Sequence, residues 1–163
     1  MPPHEAAELA QRLLRGELSV AEFSSQVAAP LTGDVGLAQV DLDRRRRCGF
    51  AEVVYGQGKS LEALRRIFAT LLAHGNDVLA TRVDPAPAEL LVGEFAGARW
   101  NSLARTLRIP RPAAAAEPAV PAGRPGQVAV ITAGTPDLPV AEEAREPLDW
   151  MGVEVELIQD VGV

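Results

Sequence analysis

The sequence predicts an α/β protein in two units. An N-terminal α/β domain spans residues 1–109, a Pro/Ala-rich linker spans 110–126, and residues 127–163 start a second, parallel-sheet domain with a first β-α-β. Three observations carry this. Short runs of β-formers alternate with apolar residues at helical spacing, as strands alternate with helices in α/β proteins. Residues 110–125, PRPAAAAEPAVPAGRP, hold five prolines and no apolar period, so they suit neither a regular helix nor a paired strand. Directly beyond, Gln127–Thr132 is a continuous apolar run, as expected of a strand buried on both faces.

In order, Ala6, Leu9, Ala10, Leu13 and Leu14 recur at three- and four-residue spacing and predict a short amphipathic helix ended by Gly16. Ser19 with Glu22 three residues on forms a capping box for a second helix, which runs to about Ala28 and is stopped by Pro30. Gly33 and Gly36 mark a loop. Phe50–Tyr55 predicts a strand entering the turn Gly56-Gln57-Gly58. Ser60 caps a third helix whose apolar face is Leu61, Leu64, Ile67, Phe68, Leu71 and Leu72, with His74-Gly75-Asn76 at its end.

Asp77–Val83 is a further strand, and a helix of this length between two strands predicts a parallel βαβ crossover. Pro85 and Pro87 start a short helix through Leu91, and strands around Ala98–Ser102 and Ala104–Ile109 complete the unit. Past the linker, residues 137–151 predict a helix and Val153–Ile158 an alternating strand. Below about 40 residues a lone core rarely stands, so this second domain is expected to be incomplete as supplied.

The net charge of −6 argues against non-specific nucleic-acid binding. Cys48 is the only cysteine, which excludes an intramolecular disulfide and a zinc site built on several thiolates. His4 and His74 show no metal-ligand spacing. The start has no charged n-region leading into an apolar h-region, and no apolar run approaches about 18 residues, so a cytoplasmic, non-membrane protein is expected.

Two stretches carry candidate chemistry. In ITAGTPDLPVAEEA, a strand, a Gly turn and a helix follow one another. Ligands of open parallel sheets sit at such strand ends, where the helix presents unpaired N–H groups. Gly134 would admit a ligand to the backbone, while Thr135 and Asp137 offer a hydroxyl and a carboxylate; Asp137 as a plain helix cap is the competing reading. The motif is neither G-x-G-x-x-G nor a P-loop. The run Arg44–Arg47, with Lys59 beyond it, is either a solvated charged face or a device for anion capture, since guanidinium groups hold phosphate bidentately. Glu142, Glu143 and Glu146 suit the start of a helix dipole, and a solvated face is expected for at least two of them.

The string VAVITAGTPDLPVAEEA resembles the first strand, loop and helix of the PurE-like carboxylase superfamily, which is flavodoxin-like in fold. It is most similar to the LarB family, the pyridinium-3,5-biscarboxylic acid mononucleotide synthases of nickel-pincer cofactor biosynthesis. Thr132–Ala144 match that family's string, with Pro136 where a serine is usual. The segment holding Asp41, Arg44, Arg47, Gly49, Glu52, Val53, Val54, Tyr55, Gly58 and Lys59 is similar to its D-x-x-R-x-x-R-x-G-x-x-E-V-V-Y-x-x-G-K pattern, and Leu79–Val83 is also similar.

The resemblance implies carboxylation of the pyridinium ring of nicotinic acid adenine dinucleotide with CO2 or bicarbonate, and phosphoanhydride hydrolysis that releases AMP. It implies Gly134, Thr135, Asp137, Arg44, Arg47 and Lys59 as substrate ligands, Mg2+ acting through the pyrophosphate, and an octamer-type homo-oligomer. The family's cysteine nucleophile is expected beyond residue 163, which leaves Cys48 a bystander and the supplied chain inactive alone. Two alternatives stand beside this reading: an aminoimidazole ribonucleotide carboxylase or mutase, against which the Asp41–Lys59 pattern counts, and a truncated copy that only binds nucleotide. Pro136 removes a hydroxyl and a backbone N–H from the anion-cradling loop.

Overall fold

The structure, a computed structural model, describes residues 3–28, 32–34, 36, 39–111 and 126–162. Most of the expected linker (112–125), Pro30 and the side chain of Arg46 lie outside the described residues.

Helices α1 (Pro3–Leu14) and α2 (Val20–Ala28) pack on each other. The capping box forms as its spacing requires: Glu22 N–H donates to Ser19 Oγ at 3.2 Å, and the Glu22 carboxylate accepts from Ser19 N–H at 2.8 Å. Between α2 and the next expected strand the chain forms a short antiparallel ribbon, β1 (Thr32–Asp34) with β2 (Gln39–Asp41), and then one helical turn, α3 (Arg44–Cys48). Neither has an apolar period of its own. The ribbon is held by burial of Val40 and Leu42, and by buried Asn76, which donates to the Leu42 carbonyl at 3.2 Å.

The main sheet follows the expected order of elements. β3 (Val53–Tyr55), α4 (Leu61–Ala73) and β4 (Val78–Thr81) form the parallel βαβ unit. After α5 (Pro85–Glu94), β5 (Arg99–Asn101) and β6 (Thr106–Ile109) return antiparallel, giving the strand order β3-β4-β6-β5. Side chains alternate across this sheet. One face presents Val54, Val78, Ala80, Leu107 and Ile109 to Leu64, Ile67, Phe68 and Leu71 of α4 and to Leu91 of α5, and this is the core. Phe68 and Phe95 meet edge-on with centroids 5.9 Å apart.

The other face presents Leu79, Thr106, Arg108 and Asn101, and a second layer lies on it. β7 (Gln127–Ile131) and β8 (Glu154–Ile158) pair in parallel around α6 (Leu138–Trp150), as the β-α-β pattern predicts. Helix α6 contacts β4 of the first sheet as well as β7 and β8, and Leu79 beneath it is fully buried. The expectation that β7 is buried on both faces does not hold. Val128 and Ile131 are exposed, at 38% and 61%, because the sheet has only two strands and nothing among the described residues covers its far side. The class is therefore mixed α/β: the four-stranded sheet combines one parallel pair with two antiparallel ones, and the β7–β8 pair is parallel.

Candidate functional site

Where β7 ends, the Thr132 N–H still donates to the Ile158 carbonyl at 2.9 Å, which keeps the strand ends level. Thr135–Asp137 form a single 3-10 turn that leads into α6, with Asp137 N–H donating to the Gly134 carbonyl at 3.1 Å. The Gly134 N–H lies 3.4 Å from Asp137 Oδ2. Gly134 itself is extended, and a Cβ built there would meet only Pro136 Cδ, at an ordinary 3.6 Å. Neither backbone nor packing requires glycine at this position; its missing side chain leaves clear space in front of the turn. Pro136 sits in the first turn, where its absent N–H is one the helix could not have paired.

The turn is backed from behind by a segment whose role the sequence did not reveal. Val161 N–H donates to the Thr132 carbonyl and Gly162 N–H to the Ala133 carbonyl, both at 3.2 Å. A Cβ on Gly162 would lie 2.4 Å from that Ala133 oxygen, so the close approach needs glycine. Beside it Thr132 is 5% exposed, and its Oγ1 has no partner among the described residues.

The carboxyl ends of β3 and β4 lie at the same end of α6 as this turn, because Arg82, which directly follows β4, holds Glu143 in the second turn of α6 at 2.7 Å. Here Gly56 N–H donates to the Thr81 carbonyl at 2.7 Å, and a Cβ on Gly56 would lie 2.8 Å from Val83 Cγ2. Lys59 follows this turn, half-buried and without an ion pair among the described residues. Tyr55 O–H donates to Gln57 Oε1 at 2.5 Å.

The arginine run is at the other end. Arg44 lines a cavity together with Met151, which caps the C-terminus of α6. The 13 residues of α6 separate this cavity from the Gly134 turn by about 20 Å. The run divides by role. Arg47 pairs with Asp41 and approaches Asp43 at 3.9 Å, and the hydrogen bond it donates to Asp41 raises its pKa. Arg45 approaches Asp77 at 3.5 Å. Arg44, half-buried, has no ion pair or hydrogen bond among the described residues. The structure thus gathers Gly134, Thr135 and Asp137 in one turn, puts Lys59 at the neighbouring strand ends, and places Arg44 and Arg47 elsewhere. Cys48 is exposed at the end of α3.

The three glutamates of α6 are not a solvated face. Glu143 takes Arg82, Glu142 and Glu146 share the Asn101 side-chain amide at 3.0 and 2.8 Å, and Glu146 also meets Arg108 at 3.5 Å. Asp149 takes the same Arg108 nitrogen at 2.5 Å. The expectation failed because every partner except Arg145 comes from the first unit, on strands and strand ends far away in sequence. The Arg145 guanidinium, then burial in opposition, then the Asn101 amide set the Glu142 carboxyl, with the net effect of lowering it.

Among the described residues, no helix is long and apolar enough to cross a membrane, and no group of three or more His, Cys, Asp or Glu is placed to hold a metal ion. Residues 32–111 match a family model described as the LarB/PurE-like N-terminal domain. The chain is also 31% identical, over 152 residues, to the uncharacterized protein MJ0165 of Methanocaldococcus jannaschii. That alignment takes in 91% of this chain but only 58% of the relative, so the chain spans little more than half the length of the curated protein it matches.

Proposed function

Residues 32–111 belong to the LarB/PurE-like N-terminal domain family, and from that premise we propose that the intact protein carboxylates the pyridinium ring of nicotinic acid adenine dinucleotide. CO2 or bicarbonate supplies the new carboxyl group: a carbon–carbon bond forms at the ring and a ring proton leaves. Water then cleaves the phosphoanhydride, releasing AMP and the dicarboxylated mononucleotide used for nickel-pincer cofactor synthesis. The match of residues 32–111 supports a carboxylase-related activity.

One observation carries the reading: this N-terminal domain and a strand–turn–helix with an unforced glycine at Gly134 occur in the same chain. Open space before the first turn of a 13-residue helix suits an anion through the helix dipole; the Asp137 and Leu138 N–H groups are spent on the Gly134 and Thr135 carbonyls, and Pro136 and Pro139 have none. Thr135 would donate its hydroxyl to a phosphate oxygen. Asp137 would accept a ribose hydroxyl, and Lys59 would supply positive charge from the strand ends beside the turn. Mg2+ fits only as an ion held mainly by substrate phosphates with Asp137 as its single protein carboxylate, a mode common for this ion. Arg44 and Arg47 would not share that phosphate contact, given their place at the far end of α6. The exposed Val128, Ile131, Val140 and Val161 support assembly of the protein into a homo-oligomer through its second sheet.

The test incubates the intact protein, its second domain complete, with nicotinic acid adenine dinucleotide, isotopically labelled bicarbonate and magnesium, with aminoimidazole ribonucleotide as the control substrate. AMP and a labelled dicarboxylated mononucleotide are expected from the first substrate. Label incorporated only from the control substrate, or no binding of nicotinic acid adenine dinucleotide by calorimetry, would overturn the proposal.

A further inference from the structure

The cavity at the far end of α6 measures about 480 Å³, within the size range of small-molecule sites. Five separate parts of the chain line it: β1 with Thr32, β2 with Gln39 and Asp41, α3 with Arg44, the Phe50–Val53 segment, and Met151 from the second unit. Its charged groups are not equivalent. Asp41 is engaged on both oxygens, by the Arg47 guanidinium and by the Asp43 N–H. Glu52 accepts the Asp41 N–H through Oε2 and has its other oxygen free among the described residues. The Arg44 guanidinium has no hydrogen-bond or ion-pair partner among the described residues.

A half-buried guanidinium with no partner, facing a cavity, is built to take an oxyanion, which it can hold through two parallel hydrogen bonds. An unengaged carboxylate oxygen beside it accepts hydroxyl hydrogens. Phe50, Val53 and Met151 form an apolar wall that suits a flat ring. Phosphate, hydroxyls and flat ring together describe one class of ligand. We propose that this cavity is a binding site for a nucleoside 5′-monophosphate, with its phosphate on Arg44, its ribose hydroxyls on Glu52 and its base against Phe50 and Met151. The site is separate from the Gly134 turn and does not depend on the reaction proposed for that turn. Because Met151 belongs to the second unit, an occupied site would also tie the two units together at this end.

The experiment titrates AMP, ribose 5-phosphate, adenosine and inorganic phosphate into the isotopically labelled protein and follows backbone amide shifts by NMR. AMP is expected to bind saturably, with shifts at residues 39–44, 50–53 and 151. Ribose 5-phosphate and adenosine should bind more weakly, and inorganic phosphate weakest. Arg44→Ala should weaken AMP about tenfold or more, as expected for loss of a charge-assisted pair. Arg105→Ala, in the β5–β6 turn and outside both candidate sites, should leave AMP binding unchanged. Three results would each overturn the proposal: AMP shifts confined to residues 132–138, inorganic phosphate bound as tightly as AMP, or no saturable binding of AMP. The shift map uses the unmodified protein, so it decides the matter even if the Arg44 variant folds poorly.

Discussion

Arg82 Nε donates to Glu143 Oε1 at 2.7 Å across 61 positions of sequence, and this ion pair joins the end of β4 to the helix of the second unit. Arg82 is about half exposed, so solvent screens the pair, and exposed pairs contribute little. A double-mutant cycle with Arg82→Ala and Glu143→Ala, read by urea unfolding, should give a small favourable coupling at low salt. In about 1 M salt it should shrink towards zero. A coupling indifferent to salt would mean the two residues act through packing instead.

Asn101 uses its whole side chain. Its amide nitrogen donates to Glu142 and Glu146, while Oδ1 accepts the Leu103 and Ala104 N–H groups at 3.1 Å. Asn101→Ala is expected to cost about 1–3 kcal/mol, since it strands partly buried groups on both sides. Asn101→Asp separates the two roles: it keeps the acceptor for the β5–β6 turn but places a negative charge against two carboxylates. Hydrogen exchange should then quicken in α6 while the β5–β6 hairpin stays protected. Unchanged protection in α6 would show that this amide does not hold the helix in place.

The pH response of the docked helix follows from Glu142. The Arg145 guanidinium first, and the Asn101 amide second, lower its carboxyl below the ordinary 4.5, against an opposing effect of burial. A depressed carboxylate contributes stability that is fully present above its unfolded pKa and is lost as pH falls through the folded one. Urea midpoints measured between about pH 6 and pH 3 should therefore fall more steeply in the native protein than in Glu142→Gln. Parallel curves for the two proteins would contradict the assignment.

Three glycines make a contrast that needs no ligand. Gly56 and Gly162 have no room for a Cβ, which would lie 2.8 and 2.4 Å from its nearest neighbour, whereas Gly134 has room at 3.6 Å. Gly56→Ala and Gly162→Ala should each destabilise by about 1–3 kcal/mol through overpacking. Gly134→Ala should stay within about 0.5 kcal/mol of the native protein, as a substitution free of steric conflict does. Thermal or urea unfolding checks all three. A large loss at Gly134 would mean the turn needs glycine for its own structure, which would remove one support for a ligand there.

Sequence reading reached the elements whose signals are local. The apolar stripe of α4, the capping box of α2 and the alternating pattern of β8 each state their own conformation, because periodicity and caps act over a few residues. The ribbon of β1 and β2 carries no such signal; it exists because Val40 and Leu42 reach the core and Asn76 ties down the backbone between them and α3. The turn at Gly134 was legible as a motif, but its backing by Gly162 was not, since nothing within Gln159–Gly162 names Ala133 as its neighbour.

The sequence alone determined the class, the order of strands and helices from β3 onward, the parallel βαβ unit and the Gly134 turn, because each depends on contacts close along the chain. Tertiary structure decided what the charged residues do. Four arginines in a row look alike until Asp77, Asp41 and Asp43 claim Arg45 and Arg47 and leave Arg44 facing a cavity. Three glutamates look solvated until Arg82, Asn101 and Arg108 come up beneath them. The physical reason is the same in both cases. A charge acts through whatever lies within a few ångströms of it in space, and only the folded chain specifies those neighbours.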